Sequence, residues 1–163
     1  MLPVAGGPDW RGVRRLRPRR GRCRERSCRA THVLLPDLCL ARRRYVAEVI
    51  GAALLSMGGE GYRRCGERLG VPGETVRDWR QRFRARAEPI AAHFLRWAGA
   101  LDASYGPPAG RGSPGADAIE AIGVCTRVAS LRLGRRAPWS WVSALTAGGL
   151  LAVNTCPPWP VPE

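Results

Sequence analysis

Gly66 and Gly70 leave fewer structural alternatives than any other part of this 163-residue chain. They interrupt the stretch YRRCGERLGVPGETVRDWRQ, residues 62–81, in which apolar residues recur at helical spacing on both sides. Two short helices that cross at a steep angle need a tiny residue at the crossing and a residue that tolerates positive φ in the turn. The stretch therefore predicts a helix-turn-helix with the core residues Gly66, Leu69, Gly70, Val71, Val76 and Trp79. A helical hairpin that serves only for packing is the alternative.

The flanking segments have the periodicity of further helices. Apolar residues between Val46 and Met57 fall three or four positions apart, which predicts a helix over residues 40–57 as the third member of a trihelical core. A Gly/Pro-rich break at 102–114 divides the helices that follow residue 57 into two groups. The helices expected on either side of the break span residues 62–69, 74–87, 90–101, 116–133 and 138–151.

These patterns divide the chain into four parts. Residues 1–37 form a basic arm with little helical periodicity, in which Val13, Leu16 and the run 31–35 favour short strands. The expected remainder is a helix-turn-helix domain at 38–101, a C-terminal helical segment at 115–152 and a proline-rich tail at 153–163. The predicted fold is mainly α, with a trihelical helix-turn-helix core, additional C-terminal helices and an arm that is poorly ordered or resembles a small zinc ribbon.

Positive charge is concentrated at the start of the chain. All 27 basic residues are arginine, the formal net charge is +14, and residues 1–44 hold 13 arginines against three acidic residues. Such a segment favours a polyanionic partner, of which nucleic acid is the commonest inside a cell. A solvated, partly disordered arm is the alternative.

The outer face of the second helix of the predicted motif carries side chains of the types that contact base edges in DNA. In the major groove, arginine pairs with guanine, glutamine with adenine, and a carboxylate with the cytosine amine. The candidate base contacts are Glu74, Arg77, Asp78 and Gln81. The candidate phosphate contacts are Arg63, Arg64, Arg80 and Arg84. Each arginine has an ordinary solvated side chain as its alternative.

An arginine-rich cysteine segment, RCRERSCRATHVLLPDLCL, precedes the motif. The order of this segment, an arginine-rich helix and the stretch GYRRCGERLGVPGETVRDW resembles a group of bacterial transposase-like proteins over about residues 20–150. The resemblance implies double-stranded DNA as the partner, recognition of the ends of a mobile element, and a small zinc ribbon before the helix-turn-helix.

The cysteines depart from the pattern of that group. A zinc ribbon needs four ligands, normally from two Cys-x-x-Cys pairs, whereas Cys23 and Cys28 are separated by four residues and no cysteine precedes them. We therefore predict no bound cofactor and free thiols in the arm. The alternative is a zinc ion on Cys23, Cys28, His32 and Cys39.

No pattern of catalytic residues is apparent, so we expect a protein that is not an enzyme. The chain has no strand series for a ribonuclease-H-like sheet, no phosphate-cradling loop and no nucleophile elbow. It also has no signal-peptide pattern and no apolar run of membrane-spanning length, which predicts a cytoplasmic protein without a membrane partner.

Two other functions remain open at this stage. The weakly charged C-terminal helices have apolar faces that suit a protein-interaction module, including a homodimer. The arginine-rich arm by itself suits RNA or non-specific nucleic-acid binding. Cys65 and Cys125, on apolar helix faces, are interpreted as small core residues. His93 is interpreted as a structural histidine, with a role as a base as the alternative.

Overall fold

The fold is taken from a computed structural model of the chain, which describes residues 2–5, 13–16, 19–25, 27–28 and 30–152. For the strands at 2–5 and 13–16 and for His32 it describes the backbone alone. The strands are β1 Leu2–Ala5, β2 Val13–Leu16, β3 Arg19–Arg22 and β4 Thr31–Leu34. The helices are α1 Ala47–Leu55, α2 Tyr62–Leu69, α3 Gly73–Arg84, α4 Ala87–Leu101, α5 Pro114–Leu133 and α6 Pro138–Leu145. The prediction of a mainly helical protein is confirmed.

The described strands of the basic arm form two antiparallel hairpins. β1 pairs with β2, from Leu2 opposite Leu16 to Ala5 opposite Val13. β3 pairs with β4, from Arg19 opposite Leu34 to Arg22 opposite Thr31. The strands predicted at Val13–Leu16 and within 31–35 are present, so these parts of the arm have a regular backbone. The predicted extended tail, residues 153–163, lies outside the described residues.

The turn between α2 and α3 follows from its glycines. Gly70 ends α2 with φ 66°, a left-handed conformation in which a side chain is strained. A Cβ built on Gly66 would lie 2.5 Å from the carbonyl oxygen of Val71 and 3.0 Å from the Cα of Gly73. Glycine at position 66 therefore lets the start of α3 approach the middle of α2.

The predicted helix at 40–57 is wrong in its first third. Cys39 forms an isolated antiparallel bridge with Val46, and the backbone N–H of Ala47 donates to the carbonyl oxygen of Leu38 at 2.9 Å. The chain thus reverses before α1 begins at Ala47. Cys39, Leu40 and Val46 are buried although they lie outside the helix.

The remaining helix boundaries differ from the predictions by a few residues at most, except in α6. α4 begins at Ala87 rather than at 90, since Pro89 is tolerated in a first helical turn. α6 ends at Leu145, six residues before the predicted end, and the chain continues through turns to Leu151. The predicted break is present as a loop at 102–113, and α5 is capped by Ser113, whose hydroxyl accepts from the backbone N–H of Ala116 at 3.3 Å.

One apolar core joins the segments on both sides of that break. Its buried residues come from α1 to α6 and continue to Leu151, and the largest side chains among them include Trp79, Phe83, Ile50 and Phe94. α5 packs along α4, and α6 packs on α1 and α5. A Cβ on Gly51 would lie 1.9 Å from the Trp139 ring, so α1 and α6 meet closely at that glycine.

The helices within the described ranges do not include one that is both long and apolar enough to cross a lipid bilayer.

Candidate nucleic-acid interface

α3 separates an apolar inner face from a polar outer face. Val76, Trp79 and Phe83 are at most 2% exposed and anchor the helix in the core. On the other side Glu74 and Arg77 each keep 61% of the side-chain surface in solvent, and Gln81 is also exposed. The described part of the C-terminal half, up to residue 152, leaves this surface exposed. The structure therefore presents the predicted base-contact residues together, with Asp78 half-buried at one margin.

Two ion pairs within α3 organise this outer face. The Arg77 guanidinium lies 2.6 Å from the Glu74 carboxylate, one helical turn away. The Nε–H of Arg82 donates a bifurcated hydrogen bond to both oxygens of the Asp78 carboxylate, at 2.7 and 2.8 Å. Because both pairs are partly exposed, each contributes about 1 kcal/mol or less to stability and can exchange its partner at small cost.

Tyr62 is a residue of this surface that the sequence reasoning missed. Its ring lies at the first position of α2, and the guanidinium carbons of Arg63 and Arg77 lie 5.8 and 5.9 Å from its centroid. A groove of about 500 Å³ runs between the start of α2 and α3, lined among others by Tyr62, Arg77, Gln81 and Arg84. The signal was available in sequence, since Tyr62 opens the motif, but its neighbour Arg77 is 15 residues away and only the fold brings them together.

Arg80 is a correction to the predicted phosphate contacts. Its side chain is 5% exposed. Nε donates to the carbonyl oxygen of Ala53 at 2.9 Å, Nη1 to that of Glu60 at 2.7 Å, and Nη2 to the hydroxyl of Ser56 at 3.0 Å. The guanidinium thus satisfies carbonyl groups at the end of α1 and in the following turn, which removes it from the surface that a duplex would meet.

The other three predicted phosphate contacts are exposed. Arg63 and Arg64 lie in the first turn of α2, and Arg84 ends α3 beside the groove. Arg68 of the same helix α2 has a different role, because its guanidinium lies 2.6 Å from the Glu60 carboxylate. The hydrogen bond from Arg68 is the main reason why the pKa of Glu60 falls to about 2.

Three of the four predicted alternative zinc ligands, Cys23, Cys28 and Cys39, do not form a metal-binding group. Cys23 and Cys28 lie in the connection between β3 and β4, with Cys28 exposed, whereas Cys39 is buried in the core, where burial raises its thiol pKa. The His32 side chain lies outside the described residues. Among the side chains that are described, no three His, Cys, Asp or Glu residues are grouped so that they could hold a metal ion.

Cys65, Cys125 and His93 are all buried. Cys65 and Cys125 are fully shielded from solvent, and burial raises the pKa of Cys125 to about 12. His93 is also fully buried, its Nε2 lies 3.0 Å from the carbonyl oxygen of Leu145, and burial lowers its pKa. The interpretation of Cys65 and Cys125 as core residues is confirmed, and neither of them nor His93 belongs to the candidate interface.

Comparison of the chain with protein-family models, curated proteins and solved structures finds no match in any of the three.

Proposed function

We propose that α1, α2 and α3 form a helix-turn-helix that binds double-stranded DNA and reads its sequence with α3. One observation is the main support for this proposal. The polar face of α3 is exposed next to the exposed arginines of α2, while the opposite face of α3 is buried in the core. A helix held in this way can enter a major groove about 12 Å wide without rearrangement of the protein.

The residues of the open face have separate roles in this proposal. Arg77 gives up its ion pair with Glu74 and donates hydrogen bonds to O6 and N7 of a guanine. Gln81 contacts an adenine. Glu74 or Asp78 accepts a hydrogen bond from a cytosine amine. Arg63, Arg64 and Arg84 bind phosphates and so set the position of α3 without reading sequence. Tyr62 adds a ring that holds Arg63 and Arg77 near the groove.

The arm strengthens the association with a duplex. Arg19, Arg20 and Arg22 of β3 are exposed, and each cation that neutralises a phosphate steepens the salt dependence of binding. The segment order that resembles bacterial transposase-like proteins supports the same partner. We infer a non-catalytic, cytoplasmic protein related to the recognition part of a mobile element.

Two arginine substitutions test the proposed reading of sequence. A selection from randomised duplexes at stated salt identifies the site, and Kd is then measured on that site and on random DNA. Arg77→Ala should weaken specific binding by about 1–3 kcal/mol and relax the preference at one position. Arg84→Ala should weaken all duplexes alike and reduce the salt slope by about one unit.

Arg96→Ala, an exposed arginine of α4, serves as the matched control and should change neither measurement. If Arg77→Ala weakened binding to the specific site and to random DNA equally, α3 would not be the helix that recognises the sequence.

Non-specific binding by the arm is the second candidate function, favoured by the exposed arginines of β3. Replacement of Arg19, Arg20, Arg22 and Arg24 by glutamine separates the two. Complete loss of nucleic-acid binding, RNA included, favours the arm, whereas weaker binding with an unchanged sequence preference favours α3.

A further inference from the structure

A second surface has the form of an open groove and meets the first groove at Arg84, the last residue of α3. It runs between the end of α1 and α5, as two depressions of about 680 and 550 Å³ that share Leu55, Ile119, Gly123 and Arg127. Leu55 is 61% exposed although it belongs to a helix whose other apolar residues are mostly buried. We call this surface the α1–α5 groove.

Small residues of α5 keep the α1–α5 groove open. Gly123 is exposed in the middle of a 20-residue helix, and a Cβ built on it would have no neighbour within 4 Å. Glycine in a helix interior costs about 1 kcal/mol relative to alanine, and at position 123 no internal contact requires it. Glycine at position 123 therefore lowers the stability of α5 slightly, and the missing side chain leaves the floor of the groove accessible.

The rim of the α1–α5 groove carries a strong excess of positive charge. Five arginines line it, Arg84, Arg111, Arg127, Arg135 and Arg136, against the single carboxylate of Glu120. Glu120 is already bound to Arg111 at 2.9 Å, and Arg136 to Asp37 at 2.9 Å. Arg84, Arg127 and Arg135 form no ion pair with any residue in the described part of the chain.

We propose that the α1–α5 groove docks an acidic amphipathic helix of a partner protein. Apolar residues of that helix cover Leu55 and Ile119, and carboxylates on its flanks pair with the arginines of the rim. The groove follows α5 from Gly115 to Ser130, which at 1.5 Å per residue corresponds to about 22 Å or four helical turns.

Charge and polarity decide against two other occupants. A second copy of the chain would bring a net charge of +14 and the same five arginines against the rim. A nucleic-acid backbone would pair with the arginines but has no apolar group for Leu55 and Ile119.

The test measures binding of the full chain to a fluorescein-labelled peptide of about 16 residues. The peptide carries leucines at i, i+3, i+4 and i+7, flanked by glutamates, and its anisotropy gives Kd. We expect micromolar binding and at least about tenfold weaker binding of a scrambled peptide and of one with lysine in place of glutamate.

Gly123→Gln fills the groove and should weaken binding about tenfold or more, while the gain in helix propensity keeps the protein folded. Gly99→Gln is the matched control in α4, where a Cβ also meets no neighbour, and should leave Kd unchanged. Arg127→Glu should weaken binding, and Arg96→Glu in α4 should not. Circular dichroism verifies that each variant is folded.

Equal binding of the designed and scrambled peptides, or undiminished binding to Gly123→Gln, overturns the proposal. So does a dimer in sedimentation that Gly123→Gln dissociates, because the occupant is then a second copy. Loss of duplex binding in Gly123→Gln makes nucleic acid the occupant. Peptide binding does not depend on Arg77, so this proposal and the proposal for α3 can fail separately.

Discussion

Single residues decide how closely α2 and α3 approach. The Cβ position of Gly66 is blocked by backbone atoms of Val71 and Gly73, which cannot rotate away as a side chain would. By contrast, Gly70 is required for its positive φ and has free space around it. Two glycines four residues apart therefore have different physical reasons, one steric and one conformational.

Gly66→Ala should lower the free energy of unfolding by about 2–4 kcal/mol, because the added methyl group forces α3 away from α2. Urea unfolding followed by circular dichroism measures the change. Gly99→Ala, an exposed helical glycine without close neighbours, should instead be stabilising by about 0.5–1 kcal/mol. A Gly66→Ala protein as stable as the parent would show that the helices do not cross at this residue.

The buried guanidinium of Arg80 donates to backbone carbonyl groups outside its own helix. Arg80→Met removes the guanidinium and with it the hydrogen bonds that Arg80 donates to the carbonyl oxygens of Ala53 and Glu60, so we expect a loss of about 2–3 kcal/mol in unfolding free energy. Arg84→Met, at the exposed end of the same helix, should change stability by less than about 0.5 kcal/mol. The reverse order of these two losses would contradict the structural role of Arg80.

Among the secondary-structure elements, an ion pair holds the connection between α1 and α2 against helix α2. Glu60 precedes α2 and pairs with Arg68 one and a half turns into that helix. Because the folded pKa of Glu60 is depressed to about 2 from 4.5, the pair stabilises the folded state above the unfolded pKa. This contribution is lost as the pH falls from about 4.5 towards about 2.

Glu60→Gln should therefore be less sensitive to acid than the parent across that pH window. Urea midpoints at pH 6 and pH 3 give the comparison, and the difference between them should shrink in the variant. Glu67→Gln, an exposed position of α2, is the control and should retain more of the parental difference. Identical acid sensitivity of parent and Glu60→Gln would contradict the pairing.

Elements formed by interactions between near neighbours were predicted accurately, and those formed by contacts between distant residues were not. α2 and its turn were predicted to the residue, because a left-handed glycine and an i, i+3, i+4 pattern are local signals. The start of α1 was wrong, because the hydrogen bond from Ala47 to Leu38 and the bridge at Val46 close a reversal that apolar spacing does not encode. Arg80 was misplaced for the same reason, since its acceptors are 20 and 27 residues away.

For the whole molecule, the decisive feature is a core shared by the helices before and after the 102–113 loop. Trp139 packs on Gly51, and His93 of α4 contacts the carbonyl oxygen of Leu145 at the end of α6. Arg43 and Arg86 donate to the carbonyl oxygens of Leu151 and Ala152, which secures the end of the described chain. The C-terminal segment thus supports the α1–α3 unit from behind and leaves its outer face free.

Unfolding should consequently be a single transition, with coincident midpoints for far-ultraviolet circular dichroism and tryptophan fluorescence. Gly51→Ala, which places a methyl group in the Trp139 ring, should lower both midpoints together by separating α6 from α1. Two separate transitions, or a shift confined to the fluorescence signal, would show that the C-terminal helices unfold as an independent unit.

The linear order of residues was sufficient for the helical class, the turn at Gly70, the crossing at Gly66 and the outward set on α3, since each depends on neighbours within a few turns of one another. Packing across long separations decided the rest. It buried Arg80, placed Tyr62 beside Arg77, and formed the α1–α5 groove between Leu55 and Ile119, which are 64 positions apart. A helix specifies its own faces through its period, but which face meets solvent depends on every element that packs against it.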